Sequence, residues 1–557
     1  MTSWKTPTSL QIDQALVALG PASKKENERR YFYSRLKNPT WLLFLVERGL
    51  FETPPSAEQT ADGYASFPFW AEFEYLKNIY HEVPEDVVAI IKPLQATNNS
   101  RLLHDICEIA AELEDIELSL SLRDFAFELC SQEHEHFLRG PMIKILARWS
   151  AGTTASRSVA LKLTQKIISF RPDPDAETKR RKQREASPED YLTERVQPKP
   201  IVSNWEYQEI LKEGVRAVIE QEPIESAPVI AQALSDLLTM SYPEGSEKGD
   251  DHSEAWCDRV DHSNGNYKDA ESELIHTLVY ACELIYEQHT ESVPELDALL
   301  RTTNWRVFKR IRQHLYAKYP ETAQLPWIQE LIREADRKYN EYNHHYDFQR
   351  MLRIACETHG SELFDKGELE GYLDAIRSGP DKQKWIEGCK TWNRFEPSDE
   401  DFTKRQGHFH RTQLHPFTSV LYGEYKERYE ALKAEAQANE EDPTSDDDYY
   451  PIPMRGCTMH SRSPKATNEM ETMSDEDLFN YLEEWDQPQH IYSKKNEPVE
   501  ITHSSLSAAF KQHFDNTIGK DANRIYWWLN KAKGFSRPLY CAATVNALSE
   551  LVESKQH

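Results

Sequence analysis

The sequence predicts an all-α protein, a HEAT- or armadillo-like α-solenoid of paired amphipathic helices interrupted by long polar insert loops. Three observations lead there. Glycine is scarce, 19 residues against 30 prolines in 557, whereas doubly wound and all-β folds spend glycine on phosphate loops and tight turns. Good helix formers (leucine, alanine, glutamate and lysine) recur along the chain. Apolar residues repeat at three- and four-residue spacing in short segments that prolines terminate, about forty residues per pair of segments.

The elements follow in order. NPTWLLFLVERGLFETPP, residues 38–55, reads as a helix between two proline corners, with Trp41, Leu42, Leu45, Val46 and Phe51 inward. FWAEFEYLKNIYHEVP adds Trp70, Phe73, Leu76, Ile79 and Tyr80 at helical spacing before Pro84. Pro84 opens the next helix, with Val87, Ile90 and Ile91 as its stripe, and Asn98-Asn99 breaks to a partner carrying Leu102, Leu103, Ile106, Ile109 and Ala110. These pairs make residues 1–170 an N-terminal repeat region. Residues 171–200 hold few large apolar side chains and many charges, so a charged linker or exposed loop is expected there.

Helical pattern resumes at NWEYQEILKEGVRAVIEQEP and defines a central repeat region, 201–435. Within it, residues 244–269 read as a second long polar loop, after which Leu274, Leu278, Ala281, Cys282 and Ile285 return to strict helical spacing. Residues 436–470, with an acid run, prolines and serines, read as a flexible insert. Ser474 and Asp477 have the spacing of a helix-capping pair and open a C-terminal helical cap, 471–557. Its aromatic residues, Trp527, Trp528, Phe535 and Tyr540, suit either a core or an interface.

A net charge of −27 argues against a general nucleic-acid binder, since phosphate contact needs a basic surface. Nucleic acid stays open as an alternative partner through the cation-rich run TKRRKQR, 178–184, and a local basic helix. No apolar run is long enough to span a membrane and the first residues lack a signal-peptide core, so the chain is expected in the cytoplasm with no membrane contact. Eight cysteines without a C-x-x-C pair fit that compartment as buried thiols.

NWRVFKRIRQHLYAKYPE, 304–321, is the most patterned stretch. Trp305, Phe308, Ile311 and Leu315 make an apolar edge, and Arg306, Lys309, Arg310 and Arg312 crowd the rest. Those cations either pair with acidic neighbours on adjacent repeats or form a partner-binding surface with Trp305. Metal chemistry has one candidate, GHFHRTQLH, in which His408, His410 and His415 could converge if the segment is a loop, as Gly407 and Pro416 favour. On a helix, His408 and His410 would stand about 200° apart. CSQEHEHF, with Cys130, His134 and His136, and NHHYD, with His344, His345 and Asp347, offer weaker ligand sets. Zinc-protease, α/β-hydrolase, dinucleotide and P-loop motifs are all missing. No catalytic residue and no cofactor is therefore expected, with a metal-dependent hydrolase or toxin using the three histidines as the alternative.

Taken in order, NPTWLLFLVERGLFETPP, FWAEFEYLKNIYHEVPEDVVAIIKPLQATNN, NWRVFKRIRQHLYAKYP, YLDAIRSGP and METMSDEDLFNYLEEWDQP resemble the helical-repeat region of large bacterial proteins associated with anti-phage defence. In those proteins the region accompanies an NTPase or effector domain and serves recognition and assembly. The resemblance implies a non-catalytic scaffold or sensor whose partner, an NTPase, nuclease or phage component, is a separate protein. It transfers no catalytic residue.

Overall fold

The computed structural model describes residues 6–20, 26–59, 65–131, 138–178, 182, 198–242, 251, 253, 256–257, 260, 270–303, 305–334, 346–390, 397–438, 470, 472–484, 503–516 and 521–532. These are mostly helical, and the chain divides into two compact units, 1–442 and 443–557.

In the first unit, helices pack chiefly on neighbours close in sequence. Helix Ser100–Glu112 lies on Arg139–Ser150, which also packs on Thr154–Ile167 and on the segment Ile210–Val215. Farther along, Pro223–Ser241 lies on Ala270–Gln288, Arg306–Lys318 on Tyr346–His359, and Asp399–Leu414 on Gly423–Ala438. One apolar core runs through all of them, from Ile12 to Tyr429. The expected inward residues of the early helices are buried, apart from Ile90, which is half-buried, and Val46, which faces out.

The same core lies on both sides of the segment expected to be a charged linker or exposed loop. Phe170–Arg171 pairs antiparallel with Lys199–Pro200, so the chain leaves the core at one edge and returns beside its exit. Phe170, Ile201 and Val202, which flank the segment, are all buried in that one core, so its two ends belong to the same unit.

Local chemistry starts several helices as the side chains dictate. Thr8 and Gln11 form a reciprocal capping box, Ser398 and Asp401 another, and Ser474 accepts from the Asp477 amide at 3.1 Å. Asn204–Gln221 is one continuous helix with a π-helical turn at Ile210–Val215. Gly214 in that turn allows a close approach, since a Cβ there would lie 3.1 Å from both Ile143 Cα and Leu146 Cδ1. All six described cysteines are buried; burial pushes the Cys130 thiol up to about 12, beyond the range of reactive thiolates.

The second unit has its own core of Met470, Leu478, Leu482, Leu506, Phe510, Phe514 and Trp528. Asp475 anchors it, accepting from Arg524 Nε and Nη2 at 2.8 and 2.7 Å and from Trp528 Nε1 at 2.9 Å. Trp528 is therefore a core residue, whereas Trp527 is half-buried against Phe479; Phe535 and Tyr540 lie outside the described residues. So do most of the expected insert, 436–470, and most of TKRRKQR.

Candidate functional site

The basic helix, Arg306–Lys318, turns two of its cations, Arg310 and Arg312, inward. Its first amides are capped from far away in sequence: Arg306 N donates to Asp251 Oδ2 at 2.6 Å and Val307 N to Ser253 Oγ at 3.1 Å. Arg310 donates from Nε to Asp347 Oδ2 at 2.6 Å and also binds the Cys257 carbonyl, with 3 % of its side chain exposed and none of the aspartate's. Arg312, also 3 % exposed, meets Asp297 at 3.2 Å and Glu330 at 3.6 Å. Lys309 pairs with Glu334 at 2.8 Å, and His314 and Lys318 share Glu283, each at 2.8 Å. Burial works to raise the Glu283 carboxyl, but hydrogen bonds from His314 and Lys318 prevail and hold it below the ordinary range.

This arrangement corrects the surface expected from the sequence. Arg310 and Arg312 are committed inside, Trp305 is half-buried against Tyr242, and Arg306 is exposed at the helix start, so the five residues do not share one outward face. Asp251, Ser253, Trp256 and Cys257 come from the segment read as a long polar loop, and all four are buried. Tryptophan and cysteine side by side within a polar run were the available signal.

GHFHRTQLH is helical, not a loop: it ends the helix Asp399–Leu414 and enters the turn His415–Phe417. Each imidazole has a different neighbour. His408 Nδ1 faces Arg411 at 3.3 Å, His410 Nδ1 faces Arg428 at 2.7 Å, and His415 Nδ1 faces Tyr429 Oη at 2.9 Å. The helical twist separates His408 from His410 by about 200°, which is why the three do not converge as a loop would let them.

His410 does carry a consequence. A guanidinium only donates, so His410 Nδ1 accepts from Arg428 and the proton sits on Nε2, toward the backbone of Ile376 and Arg377. Burial, then the Arg428 charge, lowers its pKa from the ordinary histidine value. The folded protein resists a proton that the unfolded chain takes up near pH 6.5, so this group's stabilisation is complete above that pH and is lost as pH falls toward the folded value. The urea midpoint should drop between pH 7 and 5, and His410→Asn should flatten the drop. An equally steep profile in the variant would remove His410 as its source.

Among the described residues, the group of three whose ligand atoms come within 4.8 Å of one another is His104, Asp105 and Glu108. The Lys77 ammonium already occupies it, at 2.8 Å from Asp105 and 3.2 Å from Glu108. A cation of the protein's own thus stands where a metal would. Of the weaker sets, His134, His136, His344 and His345 lie outside the described residues; Cys130 is a core thiol, and Asp347 is the partner of Arg310.

An exposed cationic site lies elsewhere, at residues no sequence motif marks. Asn99 is fully buried; it caps helix Ser100–Glu112 by accepting from the Arg101 and Leu102 amides, and it donates to the carbonyls of Pro55 and Pro68 at 3.0 and 2.8 Å. One side chain so fixes both segments that border a cavity of about 450 Å³, lined by Arg29, Arg48, Leu50, Pro54, Phe69 and Trp70 among others. The guanidiniums of Arg30 and Arg101 lie over the Phe69 ring, 4.6 and 4.8 Å from its centroid. Arg29 is paired with Glu72 and Arg48 with Asp13, but among the described residues no carboxylate pairs with Arg30 or Arg101. Stacking orders these two cations while leaving their edge N–H groups available to an anion.

No family model and no curated protein matches the chain. A search of solved structures returned "Homology model of the full-length AP-3 complex in an intermediate open conformation", at 10% identity and a TM-score of 0.16 over 97% of this chain and 81% of that one. Likeness at that level carries no argument about fold or role. Among the described residues, no helix is long and apolar enough to cross a membrane.

Proposed function

We propose that the chain is an interaction scaffold, a HEAT-like α-solenoid that holds a protein partner through an acidic segment of that partner. A place in a bacterial anti-phage assembly, with an NTPase, nuclease or phage protein as that partner, rests on the sequence resemblance alone. The observation that carries the scaffold reading is the pair Arg30 and Arg101 on Phe69, at a border held by buried Asn99. Most cations of the basic helix are consumed by internal ion pairs, whereas these two pair with no carboxylate among the described residues, in a protein of net charge −27. Such a local reversal of charge supplies specificity and orientation toward an acidic partner surface.

The test is affinity capture of the tagged full-length chain from its own cells, alongside Arg30→Glu/Arg101→Glu. A stoichiometric protein should co-purify with the parent chain, and its retention should fall at least about tenfold in the variant, as loss of two anchoring arginines implies. Circular dichroism should be unchanged, since Arg30 is exposed and Arg101 half-buried. Equal retention would remove this surface; a parent chain that captures nothing stoichiometric would remove the scaffold reading.

A further inference from the structure

Helices Thr154–Ile167 and Pro223–Ser241 lie side by side, and between them runs an open groove of about 780 Å³, within the range of small-molecule sites. Its walls explain an oddity of the second helix. Ala227, Ile230, Ala231, Leu234, Leu237 and Leu238 face the core, as one stripe of a surface helix should. Yet Val229, Ala233 and Met240 form a second apolar stripe, which lines the groove with Phe127 and Phe170. A surface helix normally turns a charged face to water there, but on the groove Pro223–Ser241 places one charged residue, Asp236.

The polar groups of the groove, Gln165 aside, are of two kinds: those paired within the protein, the lining carboxylate Asp236 among them, and two lysines. Ser169, Thr239 and Gln232 spend their donors within the protein, on the Lys166 carbonyl, the Ser235 carbonyl and Asp236 respectively. Lys162 and Lys166, one helical turn apart on the opposite lip, line the groove with no carboxylate pairing either among the described residues. The groove thus combines a mainly apolar lining along about three helical turns, some 16 Å from Val229 to Met240, interrupted by the Gln232–Asp236 pair, with two ammonium groups at the opposite edge.

We propose that this groove binds a free medium-chain carboxylate, its acyl chain along Val229, Ala233 and Met240 and its head group between Lys162 and Lys166. Apolar burial supplies the affinity and the two lysines select the sign of the head group. This assignment is independent of the scaffold reading, because neither lysine nor groove belongs to the Arg30–Phe69–Arg101 surface.

The experiment is calorimetric titration of the full chain with dodecanoate and, for a chain of equal length and opposite charge, with dodecyltrimethylammonium. Dodecanoate should bind at one equivalent and at least about tenfold more tightly than the cation, a difference of about 1.4 kcal/mol. Lys162→Glu/Lys166→Glu should erase that preference while the protein stays folded, since both side chains are exposed. Ala233→Trp, which fills the half-buried middle of the groove, should abolish the one-equivalent site. Saturable binding that survives Ala233→Trp, or no saturable binding at all, overturns the proposal. So does retention on phosphatidylglycerol vesicles with free dodecanoate unbound, which would make the groove a lipid-surface contact.

Discussion

Arg310→Ala should destabilise the first unit by about 3–5 kcal/mol, the scale for removing one partner of a buried ion pair. The cost arises from what is left behind: Asp347 is fully buried and loses the guanidinium whose Nε stands 2.6 Å from its Oδ2. The Cys257 carbonyl loses a donor in the same step, which loosens the segment that caps the helix at Arg306 and Val307. Against a typical total of about 5–15 kcal/mol, that change is enough to unfold much of the population at 37 °C. Urea titration followed by circular dichroism reads it directly. Arg310→Met/Asp347→Leu should recover much of the loss, because an apolar pair of similar volume leaves no orphaned charge. A single variant within about 1 kcal/mol of the parent would show that water reaches Asp347 and that the pair is not a structural anchor.

Trp528→Ala should unravel the second unit and leave the first protected. The described core there is seven side chains, and Trp528 is the largest, packed on Phe510 and Phe514 and donating to Asp475. Truncating a buried tryptophan costs about 3–5 kcal/mol, and so small a core has little in reserve. Hydrogen exchange on the full chain is the readout: amides of 475–484 and 522–532 should lose protection while those of 270–288 keep theirs. Retained protection around Trp528 would mean that contacts beyond this core hold the unit.

Helix identity and burial were legible because they depend on local spacing. Trp70, Phe73, Leu76, Ile79 and Tyr80, and later Leu274, Leu278, Ala281, Cys282 and Ile285, are buried as their periodicity requires. Ser474 and Asp477 form the cap their spacing implies. What failed depended on residues distant in sequence. The inward turn of Arg310 is decided by Asp347 and Cys257, and that of Arg312 by Asp297; a helical wheel showing four cations cannot say whether an acid waits opposite. His408, His410 and His415 depart from expectation for a different reason: Gly407 and Pro416 favour a loop, yet the Ser398–Asp401 box starts a helix that carries Gly407 in its interior. The Arg30–Phe69–Arg101 cluster was invisible because its members come from three separate segments that Asn99 and the packing bring together.

The π-helical turn at Ile210–Val215 fixes how this protein can change in length. An extra residue is stored there, so the helix before it and the helix after it are set in phase with different neighbours. Upstream, Tyr207 donates to the Ile168 carbonyl and Arg139 reaches Glu209; downstream, Val218 and Ile219 lie in the core. Deleting one residue from the turn would use up that surplus and restore an unbroken α-helix with both halves still in phase; a second deletion would rotate one half about 100° against the other, carrying Tyr207 off its carbonyl or Val218 into water. The helix can therefore lose one residue and keep its halves in step, but not two, so this short segment holds a one-residue reserve of length for the chain on either side of it.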